Sequence, residues 1–180
     1  MTGQTPSAPS WRIEPYAPTR RDEVAGLILG IQRGEFGLPI TLADQPDLMD
    51  IPGFYLNGKL GPGGFWTGLD PDGRVVGVIA ALNIGPGDEG LGRIALRKMF
   101  VASGFRGCGL AAALLATLLG WCAATGVGAI FLGTTDRYLA AHRFYEKHGF
   151  ARIARGELPQ TFPVMAVDTV FYRRGVSPAV

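Results

Sequence analysis

The chain has 180 residues, 47% of them hydrophobic and 18% charged, which suits one globular domain with its own core and excludes a fibrous or disordered class. Its 17 Lys and Arg nearly balance 15 Asp and Glu, and the resulting +2 leaves a nucleic-acid role without an electrostatic footprint. Two cysteines, Cys108 and Cys122, make neither a disulfide framework nor a zinc site, and on a helix read over 107–125 they stand too far apart to bond to each other.

Residues 1–10, rich in Thr, Ser, Pro, Gly and Gln, read as a flexible tail ahead of a single domain over 11–175. The opening MTGQTPSAPS lacks the basic and apolar regions of a signal peptide, so a cytoplasmic, reducing compartment is expected. WRIEP (11–15) reads as a short strand. TRRDEVAGLILGIQRGEF reads as a helix with Thr19 as cap, Asp22 and Glu23 in the first turn, and Val24, Leu27, Ile28 and Ile31 facing inward. From 37 to 63 proline and glycine mix the signals, with DQPDLMDI a helical turn or two. GFWTGLD and RVVGVIAALNI, parted by the turn signal PDG, are two strands, and RIALRKMFV (93–101) is a third.

SGFRGCG then joins that strand to a helix over 107–125, where Leu110, Leu114, Leu118 and Cys122 recur every fourth residue. The alanine-rich run 108–124 is broken by threonine and glycine and reads as a buried helix rather than a membrane span. VGAIFLG (127–133) is uninterrupted and apolar, as a strand buried on both faces should be. TTDRYLAAHRFYEKHGF is a helix capped by Thr134 or Thr135, with Leu139, Phe144 and Tyr145 partly inward and Gly149 at its end. ARIARG and VMAVDTVFYRR are read as the last strands, which gives one mixed α/β sheet.

The glycine loop is where chemistry is written. A helix start offers unpaired N–H groups and a positive dipole end, and glycines at 107 and 109 let the backbone curl round an anion, with Arg106 able to add a charged hydrogen bond. GCGLAAA lacks the Gly-Lys-Ser/Thr ending of a Walker loop, and no acidic residue closes the next strand as a dinucleotide fold requires. A turn that holds no ligand remains the alternative for the loop taken alone.

LRKMFV, SGFRGCGLAAALL, IFLGTT and AAHRFYEKHGF together resemble the GCN5-related N-acetyltransferase (GNAT) superfamily over roughly residues 65–155. The family's Arg/Gln-x-x-Gly-x-Gly/Ala signature reads here Arg106-Gly107-Cys108-Gly109-Leu110-Ala111. The resemblance implies a twisted, mostly antiparallel sheet with parallel, splayed strands 4 and 5, flanked by helices. It implies acetyl-CoA as donor, with no metal. The amides of Arg106, Gly107, Cys108, Gly109, Leu110 and Ala111 would hold its pyrophosphate, and the backbone of Met99, Phe100 and Val101 would bond the pantetheine arm and polarise the acetyl carbonyl. Tyr145 would give a proton to the departing thiolate. Where many members carry an asparagine, this chain has Tyr138, which is left to contact the arm; where some members place a glutamate base, it has Ala95.

Glu35, Asp44, Asp47 and Glu89 are the alternative bases, a water chain is another, and His142 reads as a helix residue rather than a base. The acceptor would meet the first helix, the 37–63 segment and the last hairpin, with Trp66, Phe54, Tyr55, Asp44, Asp47 and Asp50 in that region. A small-molecule amine or amino acid is the expected acceptor, with no nucleic acid or membrane as partner. An acyl-CoA-binding module without turnover, a protein N-acetyltransferase and transfer of a longer acyl group stay open, as does a homodimer, since dimers are common in the family.

Overall fold

The computed structural model describes residues 10–87 and 90–177, so the expected tail and Glu89 lie almost wholly outside the described residues. Seven strands form one sheet: β1 (Arg12–Pro15), β2 (Gly64–Leu69), β3 (Val75–Pro86), β4 (Gly92–Val101), β5 (Val127–Thr134), β6 (Ala151–Ile153) and β7 (Val170–Gly175), in the spatial order β1-β2-β3-β4-β5-β7-β6. Only β4 and β5 pair in parallel; every other neighbour is antiparallel, as hairpin connections demand. Four α-helical segments accompany it: α1 (Arg21–Leu29), the single turn α2 (Pro46–Met49), α3 (Leu110–Ala124) and α4 (Leu139–Lys147).

The sheet is buried on both faces. On one, α3 presses Leu110, Leu114, Leu118 and Cys122 onto Ile79, Ala81, Ile94 and Ile130, with Tyr145 of α4 in the same cluster. On the other, Val24 and Ile28 of α1 join Leu48, Ile51 and Tyr55 over Phe65, Val78 and Ala80. Each leucine so buried contributes about 1.5–3 kcal/mol. The start of α1 is fastened to the sheet by Glu23, whose carboxylate accepts a hydrogen bond from the Val75 amide at 3.1 Å.

Several boundaries differ from the sequence reading. A 3-10 turn at Pro18–Arg20 leads into α1, and no Thr19 side-chain cap forms. The helix after the glycine loop starts at Leu110, so Cys108 lies in the loop and not on one helix with Cys122. α4 starts after Tyr138, later than a Thr134 or Thr135 cap would place it, because Thr134 completes β5 and Thr135 accepts the Tyr138 amide in a turn. Leu139 is 68% exposed, not inward. The last strand begins only at Val170: the Met165 amide donates to Asp168 Oδ2 at 2.9 Å and the Asp168 amide to the Met165 carbonyl at 3.0 Å, closing a turn where alternation suggested a strand.

Two irregularities open the middle of the sheet. The β4–β5 ladder stops at Ala95↔Phe131, and beyond it the strands splay. Against β3, the register jumps from Ala80↔Arg97 to Val78↔Phe100, so two residues of β4 oppose one of β3 in a bulge. Lys98, in that bulge, has φ +53°, the only non-glycine with positive φ among the described residues. What holds it there is a buried polar cluster. Lys98 Nζ donates to Gln45 Oε1 at 2.6 Å and lies 3.2 Å from Asp47 Oδ2. Asp47 also accepts the Tyr55 hydroxyl at 2.5 Å, and Gln45 exchanges amide hydrogen bonds with Gln32 at 2.9 and 3.3 Å.

Burial pulls the Lys98 ammonium down to about 8, against the opposing pull of Asp47. The unfolded chain keeps that proton to about 10.5, so between these values it binds more protons than the folded protein. Stability relative to Lys98→Met is therefore expected to rise with pH from about 8 to about 10.5, read by urea denaturation of both proteins at stepped pH; a flat difference would contradict the burial. Asp47→Ala, which strands the lysine, is expected to cost about 3–5 kcal/mol in the same measurement near neutral pH.

Candidate active site

The open edge of β4 lines a row of three cavities that share residues. On the side of the glycine loop, a cleft of about 300 Å³ runs along Met99, Phe100, Val101 and Arg106, facing Tyr138 and the start of α4. It shares Met99, Phe100, Tyr138 and Ala141 with a tighter cavity of about 90 Å³ between the splayed strands, where Lys98, Thr134, Tyr145 and Asp168 meet. That cavity in turn shares Arg97, Pro163, Met165 and Val167 with an outer pocket of about 530 Å³ lined by Phe54, Tyr55, Asp44 and Asp47.

At the mouth of the first cleft lies the loop before α3. Gly107 and Gly109 take φ +75° and +89°, a region open to glycine and strained for other residues. The amide of Arg106 is bonded to the Ser103 carbonyl at 3.2 Å, whereas Ala113 makes the first helical bond, to Gly109, at 3.0 Å. Between them the amides of residues 107–112 have no hydrogen-bond partner among the described residues. Successive unpaired donors at the positive end of a 15-residue helix are chemically an anion cradle. The Arg106 side chain is not aimed at such an anion. It donates to the Val101 carbonyl at 2.9 Å and pairs with Glu35 at 2.7 Å, bracing the loop against β4 and the chain after α1.

Tyr145 is 6% exposed and packs edge-on to Phe150, at 5.5 Å between ring centroids. Burial, with Tyr138 and Tyr172 adding to it, raises its phenol well above 10, so at neutral pH it is a hydroxyl donor. Tyr138 sits between the rings of Phe36 and Phe100. Its hydroxyl oxygen is buried without a hydrogen-bond partner, and burial pushes it up to about 12. That hydroxyl, at residues shared by the two cavities, is free to bond a further group.

The other sequence candidates separate cleanly. Glu35 is occupied by Arg106, and Asp50 caps the Gly53 amide at 2.9 Å. The Thr41 hydroxyl and amide hold Asp44 below the usual carboxylate range, and Asp47 is engaged by Lys98 and Tyr55. Both ring nitrogens of His142 are tied, to the Tyr172 hydroxyl at 3.0 Å and the Thr135 carbonyl at 3.1 Å. Trp66 does not join the acceptor region: it is buried under α3, edge-on to Trp121. Phe54 and Tyr55 do line the outer pocket. Arg97, Lys98 and Asp168 were missed; two consecutive cations in an apolar strand were the one signal in the sequence that pointed to them. Among the described residues no group of three or more His, Cys, Asp or Glu is placed to hold a metal ion, and no helix is long and apolar enough to cross a membrane.

Comparison with known proteins agrees with this geometry. Residues 23–150 match the Acetyltransferase (GNAT) family. An acetyltransferase of the GNAT family from Staphylococcus aureus superposes with a TM-score of 0.85 at 35% identity, covering 93% of this chain and 100% of that one. An Escherichia coli GNAT family N-acetyltransferase in complex with CoA shares the fold, with a TM-score of 0.66 at 21% identity over 97% of this chain and 86% of that one. N-acetylaspartate synthetase from Danio rerio is 36% identical over 120 residues, which is 66% of this chain and 39% of that protein; the chain thus spans well under half of this curated relative. A cradle of free amides, a parallel pair of strands that part beside it, and a match over most of the chain place the protein in the GNAT family of acetyl-CoA-dependent acyltransferases.

Proposed function

We propose that the protein moves an acetyl group from acetyl-CoA to the primary amine of a small, amino-acid-like acceptor, by direct attack within a ternary complex. The observation that carries this reading is the run of unpaired amides at 107–112, set where a cleft begins that leads along the open β4 edge to Tyr145. A pyrophosphate suits that cradle. The amides of Gly107, Cys108, Gly109, Leu110 and Ala111 hold it, and Arg106 steadies the loop through Glu35. Peptide groups of Met99, Phe100 and Val101, freed from β5 by the splay, bond the pantetheine arm, and an N–H there polarises the acetyl carbonyl. The orphaned hydroxyl of Tyr138 takes the arm contact that asparagine makes in many relatives.

The neutral amine forms the new C–N bond as the C–S bond breaks. Tyr145 gives its proton to the departing thiolate and recovers one from the newly bonded nitrogen. Neither cysteine lines the cleft or the inner cavity, and burial pushes the Cys122 thiol up to about 12, which favours direct transfer over an acyl-cysteine intermediate. The N-acetylaspartate synthetase name of one relative favours an amino acid over a bulky acceptor. The two free thiols suit a reducing, cytoplasmic setting.

Isothermal titration with acetyl-CoA tests the cradle. Gly109→Val, strained at φ +89°, is expected to weaken binding roughly 10-fold or more, since a left-handed backbone costs an L-residue about 1–2 kcal/mol. Gly104→Ala, in open space with ordinary φ, is expected to bind like wild type. Equal affinities across all three proteins would reject the cradle. Tyr145→Phe is expected to lower kcat roughly 100-fold with acetyl-CoA affinity unchanged. An undiminished kcat in a thiol-release assay would remove Tyr145 from the mechanism.

A further inference from the structure

Arg97 and Asp168 are charged groups lining the inner cavity whose structural contacts leave part of each side chain unused. Arg97 lines both the inner cavity and the outer pocket, yet it forms no ion pair among the described residues. Its one hydrogen bond goes from Nη2 to the thioether of Met165 at 2.8 Å, a weak acceptor for a group with five donors. Asp168 lines the inner cavity with Tyr145. One of its oxygens, Oδ2, accepts the Met165 amide; Oδ1 has no hydrogen-bond partner among the described residues. The fold makes room for it. A β-carbon on Gly133 of β5 would sit 2.6 Å from Asp168 Oδ2, so a glycine at that point of the splay lets the carboxylate enter.

We infer that the acceptor is an α-amino acid held as a zwitterion, its carboxylate on the guanidinium of Arg97 and its ammonium on the free oxygen of Asp168, and that Asp168 is the base that takes the ammonium proton. This rests on the acetyltransferase reading and deepens it. The charges balance: the ammonium proton passes to Asp168, the neutral amine attacks as the C–S bond breaks, Tyr145 gives its proton to the departing thiolate and recovers one from the acylated nitrogen, and Asp168 releases its own to water on the acceptor side. Lys98 is nearby, but its ammonium is held by Gln45 and Asp47 and is not free for either task. Burial raises the Asp168 carboxyl, opposed by the Met165 amide of its own turn, by Arg97 and Lys98 of β4, and by Arg155; the net is upward, toward a stronger base.

Matched acceptor pairs test it on the whole chain, with L-leucine against isoamylamine and L-phenylalanine against phenethylamine. Wild type is expected to favour the amino acid in kcat/KM, and Arg97→Met is expected to shrink the amino-acid-to-amine ratio roughly 10- to 100-fold. Asp168→Asn is expected to lose roughly 100-fold in kcat with every acceptor, to bind acetyl-CoA like wild type in titration, and to lose the acid limb of the wild-type pH profile, with Asp168→Glu restoring part of the rate. Amines and amino acids acetylated equally well by wild type, or an Asp168→Asn enzyme within threefold of wild type and with its acid limb intact, would overturn the inference while leaving an acetyltransferase. Bound acetyl-CoA with no transfer to any of these acceptors would sink the acetyltransferase reading itself, and this inference with it.

Discussion

The structure turns on one interruption: β4 and β5 pair in parallel only from Gly92↔Val127 to Ala95↔Phe131 and then separate. Breaking a ladder in the middle of a sheet leaves peptide donors and acceptors without partners, a cost no globular domain carries without compensation. Here the compensation is partly internal and partly external. Internally, the bulge at Lys98 re-aims β4, and a buried ion pair with flanking amides holds the strained residue in place. Externally, the freed β4 edge lines a cleft that begins at another set of unpaired groups, the amides before α3. Two separate deficits of hydrogen bonding, with the unpartnered Tyr138 hydroxyl between them, are what the proposed acetyl-CoA site would use.

What was legible in the sequence was what local rules dictate. The PDG turn and the near-continuous apolar run of RVVGVIAALNI give β2 and β3, and the four-residue recurrence from Leu110 to Cys122 gives α3, because burial on both faces is written as continuity and burial on one side as periodicity. The glycines at 107 and 109 are legible for a similar reason: only glycine sits easily at positive φ. What was not legible arose from long-range contacts. The stretch 164–169 alternates like a strand, but one carboxylate bonding back to the Met165 amide makes it a turn. Trp66 was read toward the acceptor because it lies in sequence near Phe54 and Tyr55; the two-residue period of β2 sends it to the opposite face, under α3. The bulge has no local signature, since Lys98 is an unfavourable residue for its own backbone and is kept there by side chains more than fifty positions away in the chain.

The residues missed by sequence and those read from it meet in the inner cavity, and the physics of that meeting is common to them. Desolvation raises the Tyr145 phenol and the Asp168 carboxyl alike, although one sits on α4 and the other on the turn before β7. For a proton donor to a thiolate and an acceptor from an ammonium, the two upward shifts have opposite uses. The phenol is kept protonated, so it holds a hydrogen to offer the thiolate although the shift makes it a weaker acid, and the carboxylate gains basicity while remaining an acid that can discharge to water. A single cause, exclusion of water from the gap between two splayed strands, thus prepares both ends of the proposed transfer. The same exclusion lowers Lys98, and the remedy there is structural: its proton is stabilised by Asp47, and its amine is kept out of competition with the acceptor's.

A lysine stands in the wall of the proposed acetyl-transfer cavity. A primary amine with its proton held down to about 8 would, if free, be a nucleophile toward the thioester. Lys98 is 6% exposed, and its nitrogen is fixed on Gln45 Oε1 and Asp47 Oδ2. Gln45 is itself locked by Gln32, and Asp47 by Tyr55, so neither acceptor can turn away without leaving another buried group unpaired. The cluster therefore does two things with one set of bonds: it sustains the bulge that opens β4, and it fixes the one lysine of the inner cavity's wall, which under the proposed reaction would keep that amine from competing for the donor.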